Sequence, residues 1–447
     1  MEKIVIPGEI HYVIEQLNKN GFEAYLVGGC VRDSILGRAP NDWDVTTSAL
    51  PEQIKQVFYR TFDTGIKHGT VSVLIAQSIV EVTTFRIDGD YLDNRRPESV
   101  SFTTSLKEDC ERRDFTINAL AYHPKKGVLD YFGGLEDLKD KKIRAVGNAA
   151  KRFEEDALRI LRAIRFSAQL GFDIEDSTYK QIAEHAQLIT NISTERIREE
   201  LNKLLTSDNA DKFSLLYKAG ILKYIMPEIE SCFTTKQNHP YHVYTVAEHS
   251  LEALKNIEPN AILRWTLLLH DCGKPATKTT DEKGIDHFYG HQKVSAQLAS
   301  NIMNRLKFDN KSIAAVIRLI TYHDIDIDES EKAVRRAVNK VGVEYFEDLL
   351  KVQKADKSAQ NPKFLEDSMS KILAVEKIYK KILTSKQCLT IADLAINGND
   401  LIAMGLKPGK EFYELFRFLL DCVLDDPTLN ERDALLDLVH KRISETK

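Results

Sequence analysis

Two acidic residues one position apart, Asp42 and Asp44, follow closely on a glycine pair, Gly28-Gly29, in the stretch Tyr25-Leu26-Val27-Gly28-Gly29-Cys30-Val31-Arg32-Asp33. On a strand, residues i and i+2 point to one face. Two carboxylates held that way repel unless a cation sits between them, and Mg²⁺ carrying a nucleoside triphosphate is the natural cation. The glycines let the backbone turn tightly and approach a ligand closely. A short helix over 31–36 would aim its free N–H groups at that turn, where phosphate is the usual occupant. Arg32 adds a fixed positive fork. Alone, a Gly-Gly pair is a turn and an Asp-x-Asp is a solvated loop. In this order and this close together, they describe a metal-assisted phosphate site.

Three further groupings carry chemistry. Arg112-Arg113-Asp114 precedes an amphipathic stretch, Phe115-Thr116-Ile117-Asn118-Ala119-Leu120, and fits either a grip on triphosphate or ribose, or a capped helix start with a surface ion pair. In 152–166, Leu158, Leu161 and Ile164 form an apolar stripe at helical spacing, continued by Leu170. Asp156 and Arg159 are i,i+3 neighbours, and Arg162 and Arg165 continue along the helix. An Asp acceptor beside an Arg donor suits the edge of a base; the ordinary reading is a surface ion pair. The third grouping runs from Asn238-His239-Pro240-Tyr241-His242 and Glu248-His249 to His270-Asp271-Cys272-Gly273-Lys274, His291, Tyr322-His323-Asp324 and Asp356. Adjacent His and Asp at the end of a buried helix over 262–269, with more His on other helices, suit a metal bound from several directions. Any one of these histidines alone would be unremarkable in a soluble domain.

These residues need a mixed scaffold. The apolar run 24–27 reads as a buried strand. The stretches 7–20 and 51–58 read as helices, and 70–75 and 79–85 as strands by β-branching and alternation. Glu81, between Val80 and Val82, fits either a third carboxylate beside the Asp pair or a surface strand residue. The polar stretch 86–97, with Gly89 and Pro97 and no period, reads as a mobile loop. From about 149 onward the pattern is helical, with a capped start at Ser193-Thr194-Glu195.

A length of 447 residues implies two to four domains. The net charge of −5 gives no global attraction to nucleic acid, so any RNA contact uses local basic faces. The cysteines Cys30, Cys110, Cys232, Cys272, Cys388 and Cys422 form no CxxC, which points to a reducing cytoplasm without structural zinc. No apolar run reaches the ~20 residues of a membrane span, and Met1-Glu2-Lys3-Ile4 does not read as a signal peptide.

The motifs Gly28-Gly29-Cys30-Val31-Arg32-Asp33, Pro40-x-Asp42-x-Asp44, Arg112-Arg113-Asp114-Phe115-Thr116-Ile117-Asn118-Ala119 and Arg152-Phe153-Glu154-Glu155-Asp156-x-x-Arg159 resemble the class II tRNA nucleotidyltransferases. These are the CCA-adding enzymes and bacterial poly(A) polymerases of the polymerase β superfamily. The histidine set resembles an HD-domain phosphohydrolase. The resemblance implies an α+β chain: a polymerase-β-like head with a small mixed sheet over 1–148, a helical neck over 149–237, an HD-type domain over 238–360 and a helical tail over 361–447. It implies that Asp42 and Asp44 hold Mg²⁺, and that Gly29, Arg32 and Arg113 contact triphosphate or sugar. Asp156 and Arg159, with Arg162 and Arg165, would select the nucleotide, accepting CTP and ATP over GTP and UTP. At the second site it implies the ligands His242, His270, Asp271, His291, His323 and Asp356 around Mg²⁺, Mn²⁺ or Ni²⁺.

The implied activity is untemplated addition of CCA to the tRNA 3′ end from CTP and ATP, releasing pyrophosphate, with hydrolysis of phosphate esters or 2′,3′-cyclic phosphates at the HD site. No side-chain nucleophile is expected, and no membrane or obligate protein partner. Within the resembling family, enzymes that add only CC lack a flexible loop between the Asp pair and Arg-Arg-Asp, so the 89–97 stretch argues against that specialisation. A-only addition, poly(A) polymerisation, and an HD hydrolase with an RNA-binding head remain alternatives. Cys110 stands where the resembling proteins are expected to carry leucine; as a small apolar residue it fits the same place.

Overall fold

The computed structural model of the chain describes residues 4–89 and 99–446. It divides into two compact units, Met1–Pro227 and Glu228–Lys447. The expected mobile loop over 89–97 falls almost wholly outside the described residues. The residues just before it do not form loop: Arg86–Asp88 is a strand that pairs antiparallel with Val100–Phe102.

The first unit is built on a seven-stranded sheet. Its strands are β1 (Ala24–Val27), β2 (Asp44–Thr47), β3 (Thr61–Gly65), β4 (Thr70–Ile75) and β5 (Ser78–Thr84), joined after the β6/β7 ribbon (Arg86–Asp88, Val100–Phe102) by β8 (Ala121–His123) and β9 (Gly127–Leu129). The spatial order is β3-β4-β5-β2-β1-β8-β9. Only the β2/β5 pair within it is parallel, with Asp44 opposite Glu81. All four residues of β1 are buried, as its apolar run requires. Helix α1 (Gly8–Lys19) buries Ile10, Val13, Ile14 and Leu17, the i, i+3, i+4, i+7 stripe of an amphipathic helix. A core of Tyr25, Val27, Phe85, Leu106, Cys110, Ala119, Ala121 and Val146 joins the sheet to the segments on its C-terminal side. Cys110 sits fully buried in it, an apolar filler as expected.

Two expectations need correction. Asp42 does not share a strand with Asp44: β2 begins at Asp44, and Asp42 lies in the segment that enters it. The stretch after Arg-Arg-Asp is a single 3₁₀ turn, Thr116–Asn118, before β8 begins. Its apolar residues serve as core, with Phe115, Ile117 and Leu120 fully buried.

Helices α2 (Gly29–Ile35), α3 (Pro51–Val57), α4 (Leu106–Glu111), α5 (Gly134–Lys139), α6 (Ala149–Glu155), α7 (Leu158–Leu170), α8 (Asp176–Glu184) and α9 (Thr194–Leu205) surround the sheet and neck, followed by the short helices α10 (Ser214–Lys218) and α11 (Leu222–Ile225). The predicted continuous helix over 152–166 is broken at Asp156, whose backbone is extended (φ −135°, ψ 101°). Its side chain caps the next helix by accepting from the Leu158 N–H at 3.1 Å. The apolar stripe lies wholly after the break, on α7, and Gly171 in the left-handed conformation ends that helix.

The second unit is predominantly helical. Five of its helices carry or support the histidine cluster: Val246–Leu254, Ala261–Leu269, His291–Arg305, Asn310–Tyr322 and Val343–Ser358. Among the described residues, no helix is long and apolar enough to cross a membrane.

Candidate active site and candidate metal centre

At the β1–α2 turn, Gly28 has φ 83° and ψ −134°, a conformation open essentially to glycine alone. A Cβ built there would lie 3.1 Å from Arg113 Nη1 and 4.0 Å from Asp44 Oδ2. The absent side chain therefore leaves a cleft whose walls are a guanidinium and a carboxylate. Asp42, Asp44 and Glu81 line one cavity of about 570 Å³, so the strand register does place a third carboxylate beside the pair. Desolvation, opposed by Arg113 and reinforced by Asp42, raises the Asp44 carboxyl above its ordinary range. A divalent cation would relieve that strain, and an all-oxygen donor set suits Mg²⁺. Cys30 lies beside the site but is no nucleophile: burial pushes its thiol up to about 11.

The arginines are held rather than free. Arg32 donates through Nε and Nη2 to both oxygens of Asp33 (2.9 and 2.8 Å) and through Nη1 to Asn118 Oδ1 (2.6 Å). Asn118 donates to Asp114 Oδ1 (3.0 Å), and Asp114 Oδ2 accepts from Arg162 Nε and Nη2 (2.8 and 2.6 Å). This relay, Arg32–Asn118–Asp114–Arg162, buried except at Arg162, ties the glycine turn to α7. Despite burial, Arg162 and Asn118 hold the Asp114 carboxyl far below the usual carboxylate range. Arg32, Arg162 and Arg165 also surround the Phe166 ring at 5.1, 5.3 and 3.8 Å, a cation–π arrangement. Arg165 is buried against Glu200 and Gln169, which accept from its Nε and Nη1.

Asp109, which the sequence reading did not single out, positions the Arg-Arg pair. It is fully buried and accepts from Arg112 Nε and Nη2 (3.1 and 2.8 Å), Arg113 Nη2 (3.4 Å) and Thr46 Oγ1 (3.2 Å). It thus aims both arginines of Arg-Arg-Asp, while Arg113 Nε stays buried without a partner. Its i,i+3 and i,i+4 spacing to Arg112 and Arg113 was the available signal.

Asp156 and Arg159 do not pair with each other. Arg159 donates to Glu155 (2.7 Å) and to the carbonyls of Arg152 (3.0 Å) and Arg112 (2.9 Å). Asp156 instead accepts from Arg196 on α9 at 3.1 Å. The helix break turns the two side chains apart.

In the second unit, His249, His270, Asp271 and Asp356 bring ligand atoms within 4.8 Å of one another, and so do Asp271, His291 and His323. The sequence reading favours His242 over His249. The structure puts His249 Nε2 2.8 Å from Asp356 Oδ1, while His242, its ring centroid 5.4 Å from that of His249, lines the adjoining cavity with Asp271 and Asp356. His249 stands on the capped helix beginning at Val246 and points inward; His242 precedes that helix. Gly273 lets the His-Asp turn pack against the His291 helix: a Cβ there would meet the carbonyl of His291 at 2.6 Å. Desolvation opposes the charged form of His270, but Asp271 and Asp356 override it and raise its ring to about 10. Burial lowers His242 to about 3, keeping it neutral. His270 Nε2 and Asp271 Oδ1 are buried without a hydrogen-bond partner, and Lys274 Nζ stands 2.8 Å from Asp271 Oδ2. Native interiors rarely leave such groups unsatisfied, and a cation would satisfy them together.

Comparison with known proteins accords with this geometry. Residues 24–144 match the poly A polymerase head domain, 171–233 the probable RNA and SrmB-binding site of polymerase A, and 277–439 the tRNA nucleotidyltransferase domain 2. The chain is 36% identical to a CCA-adding enzyme of Streptococcus mutans over 96% of each chain, and 35% identical to one of Enterococcus faecalis over 99% of each. Its structure is similar to that of the Bacillus stearothermophilus CCA-adding enzyme in complex with CTP (TM-score 0.75, 30% identity, 98% of each chain). The Thermotoga maritima CCA-adding enzyme complexed with tRNA shares the fold (TM-score 0.60, 20% identity, 98% of this chain and 97% of that one). Full-length identity of this order, over a site whose glycine turn, carboxylates and arginines converge, places the chain in the family of CCA-adding enzymes.

Proposed function

We propose that this nucleotidyltransferase completes tRNA 3′ ends by adding C, C and A from CTP and ATP without a nucleic-acid template. The observation that carries the reading is the convergence of Asp44 and Arg113 on the side-chain-free face of Gly28, with Asp42 and Glu81 lining the same cavity as Asp44. The terminal 3′ oxygen of the RNA forms a bond to the α-phosphorus, the bond from that phosphorus to pyrophosphate breaks, and the hydroxyl proton passes to water. Asp42 and Asp44, assisted by Glu81, would hold Mg²⁺, which when bound lowers the charge cost and steadies the leaving group. Gly28 and Gly29 give the triphosphate room, and Arg113 and Arg32 orient it. Asp156 and Arg159 read the base edge, with Arg162 and Arg165 fixing the helix that carries Arg159. The head over 1–148 carries the chemistry, the neck over 149–237 the selection, and the tail over 361–447 contacts tRNA. The six free cysteines suit a reducing, cytoplasmic setting.

A second activity is favoured by the convergence of histidine nitrogens and carboxylates in the second unit: metal-dependent hydrolysis of phosphate esters, including 2′,3′-cyclic phosphates at damaged RNA ends. Imidazole and carboxylate donors fit a divalent metal that would polarise the phosphate.

Three tRNA transcripts, lacking CCA, ending in C and ending in CC, given CTP, ATP or both, test the first reading. All three should be completed with both nucleotides. Extension of the CC-ended transcript alone would mean an A-adding specialist, and long A tails would mean a poly(A) polymerase. Asp42→Ala and Asp44→Ala should abolish addition and leave hydrolysis of bis-p-nitrophenyl phosphate. The double variant His270→Ala/Asp271→Ala should do the reverse, and loss of both activities in either case would refute two separate sites.

A further inference from the structure

Aromatic rings gather at the mouth of a cavity in the second unit. The short ribbon of Thr279–Thr280 paired with Asp286–His287, and the segment after it, bring His287 and Tyr289 to the rim of a cavity of about 280 Å³ that Asp271, His291 and His323 also line. The two rings are nearly parallel, with 7° between their planes and 5.4 Å between centroids. His239 stands 6.4 Å from His287 and stacks in turn on Tyr241 at 5.3 Å, and Tyr241 meets Phe364 edge-on at 4.5 Å. The row ends at Tyr289, which is 78% exposed. With His287 on one face of Tyr289, the opposite face is open to solvent.

The backing ring is fixed in place. His287 Nε2 donates to Asp281 Oδ2 at 3.1 Å, because an ionised carboxylate only accepts. In the neutral ring Nδ1 is then an acceptor, and Tyr289 Oη lies 3.5 Å from it. Asp281 is itself held, its Oδ1 accepting from the Lys283 and Ile285 N–H groups, each at 2.9 Å. The buried Asp286 pins the neighbouring position, accepting from Thr280 Oγ1, the Asn238 N–H and Lys278 Nζ, each at 2.7 Å. Gly290, with φ 75°, turns the chain between Tyr289 and His291. Tyr289 is thereby left at the rim, while His291 is buried with its Nε2 3.2 Å from Asp271 Oδ1. A ring so exposed adds nothing to the core, and a platform already rigid loses little entropy when a ligand covers it.

We propose that Tyr289, backed by His287, is a stacking platform for the base of a nucleoside phosphate whose phosphate enters this cavity. Lys274, which lines the same cavity, supplies positive charge for the phosphate. A sugar phosphate or inorganic phosphate has no aromatic face to lay on Tyr289. Every base has one, so stacking accepts any of the four, as a site acting on RNA 3′ ends of varied sequence requires. The inference takes its reaction from the hydrolytic reading above, whereas the base platform stands on the rings alone.

The test uses the full chain and two esters that differ in the base, adenosine 2′,3′-cyclic phosphate and the 2′,3′-cyclic phosphate of methyl riboside. The parent protein should hydrolyse the adenosine ester with a KM about tenfold lower. Tyr289→Ala should bring the two KM values together while kcat and nucleotide addition to tRNA stay unchanged, and Tyr289→Phe, which keeps the ring, should keep the preference. A second readout needs no turnover: 8-azidoadenosine 2′-phosphate, irradiated with the protein, should attach at Tyr289 or His287, as peptide mass spectrometry would report. Where either ester is hydrolysed, equal KM values in the parent, or a preference that survives Tyr289→Ala, overturn the platform and leave the hydrolytic reading standing. Where neither is hydrolysed, that reading falls and the adduct decides. Attachment at Tyr289 or His287 keeps the platform; attachment elsewhere alone, or none, overturns it.

Discussion

Asp114→Asn removes one negative charge from the middle of the relay between the glycine turn and α7. The asparagine oxygen can still accept from the Phe115 N–H and Asn118, as Asp114 Oδ1 does at 2.8 and 3.0 Å. The amide nitrogen, however, then faces the two Arg162 donors that Oδ2 now satisfies at 2.8 and 2.6 Å. Breaking a fully buried ion pair costs about 3–5 kcal/mol. The Arg162 side chain is 33% exposed, so water recovers part of its solvation and the loss falls to about 2–4 kcal/mol. For a cooperative unit of this size that is a fall in Tm of about 4–16 °C, read by calorimetry on the full chain. The pH dependence is a second readout. Asp114 is held far below its ordinary value of 3.8, so its contribution is complete above that value. As pH falls through 3.8 the unfolded chain takes up the proton first, and the contribution is lost progressively. The gap between parent and variant should therefore be widest at about pH 7 and narrow toward about pH 3. A Tm within about 1 °C of the parent at neutral pH, or a gap that does not narrow in acid, would refute the relay as a source of stability.

Other perturbations act on the same geometry. Gly28→Ala forces a side chain into a conformation that costs about 1–3 kcal/mol and crowds Arg113 at 3.1 Å, so KM for both CTP and ATP should rise in steady-state assays; unchanged KM values would mean the triphosphate lies elsewhere. Arg159→Ala should lower the kcat/KM preference for ATP and CTP over GTP and UTP about tenfold, without changing metal affinity; preserved discrimination would end its base-reading role. Arg196→Ala, which releases Asp156 from its 3.1 Å contact, should lower discrimination in the same direction, and rescue by lysine would separate charge from packing. Cys30, buried and with its thiol pushed up to about 11, should escape iodoacetamide in the folded protein and react once it is unfolded, as mass spectrometry would report; alkylation in the native state would contradict the closed packing of the glycine turn.

Much of the site was legible in one dimension because its parts are local. Gly28 and Arg32 belong to one turn, Asp42 and Asp44 to the segment entering the adjacent strand, and Arg112–Asp114 to a single run, so spacing along the chain stood in for spacing in space. The amphipathic period of α1 and the apolar run of β1 likewise specify elements without reference to the rest of the fold. Contacts between distant segments were not available to such reasoning. Glu81 was ambiguous until the parallel pairing of β2 with β5 set it opposite Asp44. Asp156 and Arg159 looked like partners by helical spacing, but a capped break between helices separated them and gave Asp156 to Arg196, 40 residues on. Asp109 gained its contacts only when folding buried it among donors from Thr46, Arg86, Arg112 and Arg113. His242 and His249 are equally plausible ligands on residue type alone. Only the packing of the helix that carries His249 decides which ring meets Asp356. The sequence by itself determined the residue types and the local turns, because these depend on neighbours in the chain; which side chains meet depended on long-range pairing and on helix ends, which no local pattern encodes.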